Sequence, residues 1–231
     1  MDRSRMEMAA VSETLVPGVA LTRPEWLVER IADMGISWGT GNSRVSGTLW
    51  WCMAASSLVD PITAAYAEGR AAPAARLEQL VCEVRPDGGI ERVFPDPAVT
   101  ARGAAESGCA ADGSAAMDSV GAVLRETLGR IVPVVAEVSG AGVPALWAIV
   151  ADAIGNRAID SGAAQAGVRL AAEVADQLPV PRFTDVGGRS FVRRISCCLV
   201  YEVPGCQMCT SCPKRPAAQR LELLTELAAR T

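Results

Sequence analysis

The chain has 231 residues, half of them hydrophobic and only 4% aromatic, with 22 basic and 26 acidic side chains and a formal charge of -4. That is enough apolar sequence for one large domain or a domain plus an appendage, and the mild acidity argues against general nucleic-acid binding. There is no histidine, which excludes Rieske-type and Cys2His2 ligation, His-ligated haem and any imidazole base.

Abundant alanine and scarce aromatics favour helices over sheets. In chain order, residues 1–20 read as a poorly ordered N-terminus. Thr22-Arg23-Pro24-Glu25 has capping-box spacing and opens a helix expected to stop at Gly35. Thr48 to Val59 is a buried helix by composition. Asp60-Pro61 reads as an N-cap with proline at the first position of a separate short helix that Gly69 stops. Leu80–Val84 and Ile90–Phe94 flank Arg85-Pro86-Asp87-Gly88-Gly89, a hairpin signal. Residues 95–113 read as a small-residue loop.

Ser114 to Val138 carries Met117, Val120, Val123, Leu124, Leu128 and Ile131 at helical spacing. Ala145 to Leu178 is a second long helical pattern, with a break expected near Gly155 or Gly162 and a stop at Pro179 and Pro181. Residues 182–192 are a loop or short strand. Pro216 to Arg230 is an amphipathic helix, with Leu221, Leu223, Leu224 and Leu227 expected inward. The most apolar stretch, Ile131 to Ala151, is split by Pro133, Glu137 and the turn before Pro144. Two buried helices suit it better than a membrane span. The N-terminus has no uninterrupted apolar signal segment. A cytoplasmic protein is expected, or one peripheral at the inner face of the membrane. The fold class is mainly α, with one β-hairpin and a small C-terminal cysteine-rich lobe. The divisions are 1–20, 21–188 for the helical domain and 189–231 for the lobe and terminal helix.

Gly140-Ala141-Gly142-Val143-Pro144-Ala145 matches a relaxed dinucleotide pattern, but the flanking strands of a βαβ unit are missing. It reads as a corner between helices. Trp50, Trp51 and Trp147 read as core. Cys52, Cys82 and Cys109 read as buried or loop thiols.

The remaining cysteines carry the chemistry. Cys197, Cys198, Cys206, Cys209 and Cys212 fall within sixteen positions. In a reducing compartment such density points to metal rather than disulfides. Zinc would take four thiolates but usually draws them from two knuckles. Cys206-x2-Cys209-x2-Cys212-Pro213 imitates a [4Fe-4S] run. Vicinal Cys197 and Cys198 diverge in an extended strand, so a shared site needs a backbone kink. Six basic residues between Arg189 and Arg220 face one acid, Glu202, a formal +5 that leaves -9 elsewhere.

Cys197-Cys198-x10-Cys209-x2-Cys212, preceded by Arg193 and Ser196 and followed by Pro213, resembles the terminal signature of the FhuF-like ferric-siderophore reductases. Ala145-Leu146-Trp147, opening a helix that includes Gly155-Asn156, is a vaguer likeness. The resemblance implies a [2Fe-2S] cluster held by Cys197, Cys198, Cys209 and Cys212, with Cys206 extra to the pattern. It implies an oxidoreductase that reduces a ferric siderophore with an electron from a separate donor, a reductase or ferredoxin. Arg193 and Arg194 are the candidate contacts to the chelate. The alternative is a non-enzymatic module whose zinc- or cluster-stapled tail docks a partner.

Overall fold

The computed structural model describes residues 14–73, 75–98 and 119–230. Six α-helices and two small antiparallel sheets are found among them. The helices are α1 (Pro24–Trp38), α2 (Ser43–Ala67), α3 (Val120–Ser139), α4 (Val143–Asp160), α5 (Ala164–Val174) and α6 (Ala217–Ala229). The first sheet has the order β1 (Leu15–Pro17), β2 (Leu80–Val84), β3 (Ile90–Pro95), and the second pairs β4 (Phe183–Val186) with β5 (Arg189–Val192). The architecture is mainly α, as expected, but with a second hairpin and a third strand on the first.

Helix α2 is the axis of the core. It buries side chains around its circumference, from Val45 and Leu49 through Trp50, Trp51, Leu58 and Val59 to Ile62. A helix apolar on all faces must be enclosed, and α1, α3, α4, α5 and β3 all pack on it. Trp50 and Trp51 are fully buried, and each still finds an acceptor for its indole N–H. Trp50 donates to Gly88 O at 2.9 Å, tying α2 to the β2–β3 turn, and Trp51 donates to Leu146 O at 2.9 Å, tying it to α4.

Several boundaries differ from the sequence reading. Within residues 1–20, residues 1–13 lie outside the described residues, while Leu15–Pro17 pairs with β2 in the register Val16↔Cys82. No capping box forms. Thr22 Oγ1 donates instead to Val19 O, and Arg23 occupies the cap position. Gly35 does not stop α1, which continues to Gly39 in the left-handed conformation. Asp60-Pro61 opens no new helix, because Pro61 lies inside α2. An interior proline costs about 3 kcal/mol, but buried Leu58, Val59, Ile62 and Ala65 on both sides of it hold one continuous rod. Asn42 caps that rod, accepting from the amides of Arg44 and Val45.

The corner at Gly140-Ala141-Gly142 does join two buried helices, with Gly140 at φ 74°. The long pattern after it breaks at Gly162 rather than Gly155. Residues 95–113, read as a loop, lie largely outside the described residues, as do residues 114–118. On α6 only Leu224 is fully buried, and Leu221 and Leu227 stay exposed, so its inward face is narrower than expected. Among the described residues no helix is long and apolar enough to cross a membrane.

Candidate functional site

The lobe is fastened to the helical core at one buried carboxylate. Asp152, on α4, is 2% exposed. Its Oδ1 accepts from the Ile195 amide at 2.9 Å, and its Oδ2 accepts from the Ser196 amide at 2.9 Å and the Ser196 hydroxyl at 2.6 Å. Arg194 Nε lies 3.5 Å from the same oxygen. A buried charge is tolerated only with this kind of donor supply. The effect is to fix residues 194–196 against α4 just before the vicinal cysteines.

The kink that the vicinal pair needs falls at Leu199, at φ 63° and ψ 9°. A branched side chain is rare there, and such strain costs about 1–3 kcal/mol. It is opposed by burial of Leu199 and by the Glu202 amide, which donates to Leu199 O at 2.8 Å. The bend also aims the Leu199 and Val200 amides at the Cys197 and Cys198 sulfurs. Arg44, at the start of α2, clamps Glu202 at 2.6 Å and holds the far side of the bend. In the second knuckle the Cys212 amide donates to Cys209 O and the Arg215 amide to Cys212 O, both at 3.1 Å.

These turns sort four thiols into two couples. Cys197 Sγ lies 3.9 Å from Cys212 Sγ. The Cys198 and Cys209 thiols are within hydrogen-bonding reach of each other. Two thiolates on one tetrahedral metal, with bonds of ~2.3 Å, lie about 3.8 Å apart. The couples therefore suit two metal atoms, one each. Among the described residues no group of three or more His, Cys, Asp or Glu side chains is gathered to hold a single ion.

Hydrogen bonding from Cys209, with further help from the Val200 amide and Arg194, holds the Cys198 thiol down to about 5. Cys209 is pushed up, as the donor in that couple and by burial, and burial raises Cys197. One member of the Cys198–Cys209 couple is thus poised as thiolate, the form that binds metal.

The basic residues divide. Burial works against the Arg194 guanidinium, but the sulfurs of Cys52, Cys198 and Cys209 and the Asp152 carboxylate hold it above its ordinary value. Its Nη1 lies 3.6 Å from Cys209 Sγ. Arg215 donates to Met208 O and Cys209 O, and Arg220 to Cys212 O and Arg215 O, so both brace the knuckle. Lys214 stacks over Tyr201. Arg193 is exposed and borders a shallow hollow against α6. Cys206 is half-buried against the core, and its amide closes a turn onto Val203 O.

Cys82 is a buried core thiol, as expected, and Cys109 lies outside the described residues. Cys52 departs from the expectation of a mere packing thiol. It borders a cavity with Ser56, Asp152, Asn156, Arg194 and Cys198, and burial pushes its thiol up to about 12. Two features carried this in the sequence. Cys52 and Ser56 are four apart on α2, and Asp152 and Asn156 are four apart on α4. Each pair puts polar groups on one face of an otherwise apolar helix.

A buried carboxylate anchor, a kinked vicinal cysteine pair and two thiol couples under an arginine brace make up a thiolate metal site. Residues 194–214 match the model of the FhuF 2Fe-2S C-terminal domain, so the terminal lobe is FhuF-like and its cofactor is a [2Fe-2S] cluster. No curated protein and no solved structure matches the chain.

Proposed function

We propose that the protein is a ferric-siderophore reductase working in the cytoplasm, and that Cys197, Cys198, Cys209 and Cys212 hold its cluster. The observation that carries the reading is the pair of thiol couples inside the segment matching the FhuF domain. The cluster supplies a one-electron couple. In the net reaction one chelated Fe(III) gains one electron and becomes Fe(II), and a separate reductase or ferredoxin loses it. Hard oxygen ligands hold Fe(II) less well, so iron is released. No proton transfer is required, which agrees with a chain that has no histidine.

The chain's own residues hold and tune the centre. Asp152 fixes the approach to the vicinal pair, and the Leu199 and Val200 amides donate to sulfur. Arg194 places positive charge beside Cys209, which favours the more negative, reduced state. A partner-docking role for the lobe is the second reading, favoured by exposed Leu221 and Leu227 on α6.

The test is single turnover. The protein is reduced anaerobically with dithionite, freed of excess, and mixed with ferric siderophores of several classes while Fe(II) is trapped. Reoxidation of the visible spectrum with matching Fe(II) release is the expected result. A reduced protein that persists in the presence of every chelate sinks the reductase reading and leaves the docking module.

A further inference from the structure

The seam between α2 and α4 opens beside the cysteine couples. The cavity there, about 290 Å³, is walled by Cys52 and Ser56 of α2, Asp152 and Asn156 of α4, and Arg194 and Cys198 of the lobe. Ser56 also borders a second hollow of about 550 Å³ that continues over Asp60, Arg92 and Arg157. Small-molecule sites span roughly 300–1,000 Å³, so the cavity lies at the lower edge of that range and the neighbouring hollow inside it.

Three observations separate this seam from an ordinary crevice. It is a place where a thiol of the couples meets open space, whereas Cys212 is closed off at 2% exposure. Its polar walls stand on two helices that are otherwise core. Among the described residues the Ser56 hydroxyl and the Asn156 amide are engaged by no other group of the fold, so both are free to bind a ligand. Both sit on packed helices, and Asp152 and Ser196 lock Arg194 between them. Arg194 is therefore a preorganised donor, which lowers the cost of binding, while the exposed Asn156 amide is ordered by the ligand itself.

We propose that this seam is the docking site for the iron(III) chelate. Ser56, Asn156 and Arg194 donate hydrogen bonds to its oxygen-rich periphery, and the chelate rests against the Cys198 sulfur. Arg193, which borders the separate hollow against α6, takes no part. The proposal rests on the reductase reading above and adds the location.

Gallium(III) complexes of siderophores are redox-inert copies of the iron(III) chelates, so binding can be measured without turnover. Oxidised, cluster-loaded protein is titrated calorimetrically with the gallium(III) forms of chelates differing in charge. Ser56→Trp and Asn156→Trp fill the seam, and Glu222→Trp, on exposed α6, controls for bulk. Iron and sulfide content with the visible spectrum report that each variant is folded and loaded. Wild type and Glu222→Trp are expected to bind at least one chelate, and the two seam variants to bind it about tenfold more weakly or worse. Equal affinity in loaded seam variants overturns the proposal. So does the absence of gallium chelate binding to a wild-type protein that still reduces the iron(III) forms, and in that case the reductase reading survives. If iron(III) chelates are not reduced either, both fail.

Discussion

Asp152 grips Ser196 twice, through the backbone amide at 2.9 Å and the hydroxyl at 2.6 Å. The two are far apart in sequence, and the carboxylate ties α4 to the cysteine lobe beside the packing of Gly155 against Val192 of β5. Removing it leaves two amides and the Arg194 guanidinium, itself 18% exposed, without their acceptor. Breaking one partner of a buried ionic network costs on the order of 3–5 kcal/mol. Asp152→Ala is expected to lose stability on that scale in urea unfolding and to be purified with little iron. Asp152→Asn, which keeps the shape but presents N–H groups to donors, should fall between. Iron content unchanged in Asp152→Ala would show that the lobe positions its cysteines without α4.

The two couples make a specific pattern for the cysteines. Serine at Cys197, Cys198, Cys209 or Cys212 should abolish or severely reduce the bound iron. Cys206→Ala and Cys52→Ala should keep iron, sulfide and visible spectrum. A colourless Cys206→Ala with a coloured Cys197→Ala would favour the ferredoxin-like run Cys206-x2-Cys209-x2-Cys212 instead. Anaerobic purification with iron and sulfide analysis decides between them.

What the sequence made legible was set by local physics. Apolar spacing located α3 and α4, Gly140 marked their corner, and Asp87-Gly88 marked the first hairpin. The second hairpin was equally local. Gly187 and Gly188 adopt φ 57° and 80° between Val186 and Arg189, the two-residue turn that paired glycines favour. The sequence shows only a loop or short strand over 182–192, because flanking strands of four residues each are too short to carry a clear alternating pattern. Other features were not local. Pro61 stays helical only because residues on both sides of it are buried against the rest of the fold. Asp152 looks like any helical acid until the lobe folds back onto it. The four-cysteine spacing was visible, but its sorting into Cys197–Cys212 and Cys198–Cys209 depends on the left-handed turn at Leu199.

Gly47 offers a test of the core that leaves the centre alone. On α2 it faces α3, where an added Cβ would lie 2.3 Å from Ser139 Cβ and 3.5 Å from Ile31 Cδ1. Ser139 cannot swing aside freely, because its hydroxyl donates to Val135 O and accepts from the Ala141 amide. Gly47→Ala should therefore lose about 1–3 kcal/mol, the usual cost of overpacking, even though alanine is the better helix former. Thermal or urea unfolding measures the loss. Iron per folded chain should not change, since Gly47 packs between α1 and α3. A variant as stable as wild type would mean that α2 and α3 can separate without penalty.

Arg194 should set the reduction potential. Its guanidinium lies between the Asp152 carboxylate and Cys209 Sγ, with its positive charge toward the sulfur. Reduction adds negative charge to the centre, and a fixed, mostly buried cation favours that state more than a solvated one, because the local dielectric is low. Arg215 and Arg220 contribute less, since they bind backbone carbonyls of the knuckle. Arg194→Gln removes the charge but can still donate hydrogen bonds, so it should lower the potential while retaining iron. Arg194→Lys keeps the charge without the fork that reaches Asp152, Ser196 and Cys209 together, and should lower the potential less. Redox titration followed by visible and electron paramagnetic resonance spectroscopy reads both. A purely structural role would change iron occupancy and leave the potential of the loaded fraction where it was. That result, in both variants, would remove Arg194 as the tuning residue.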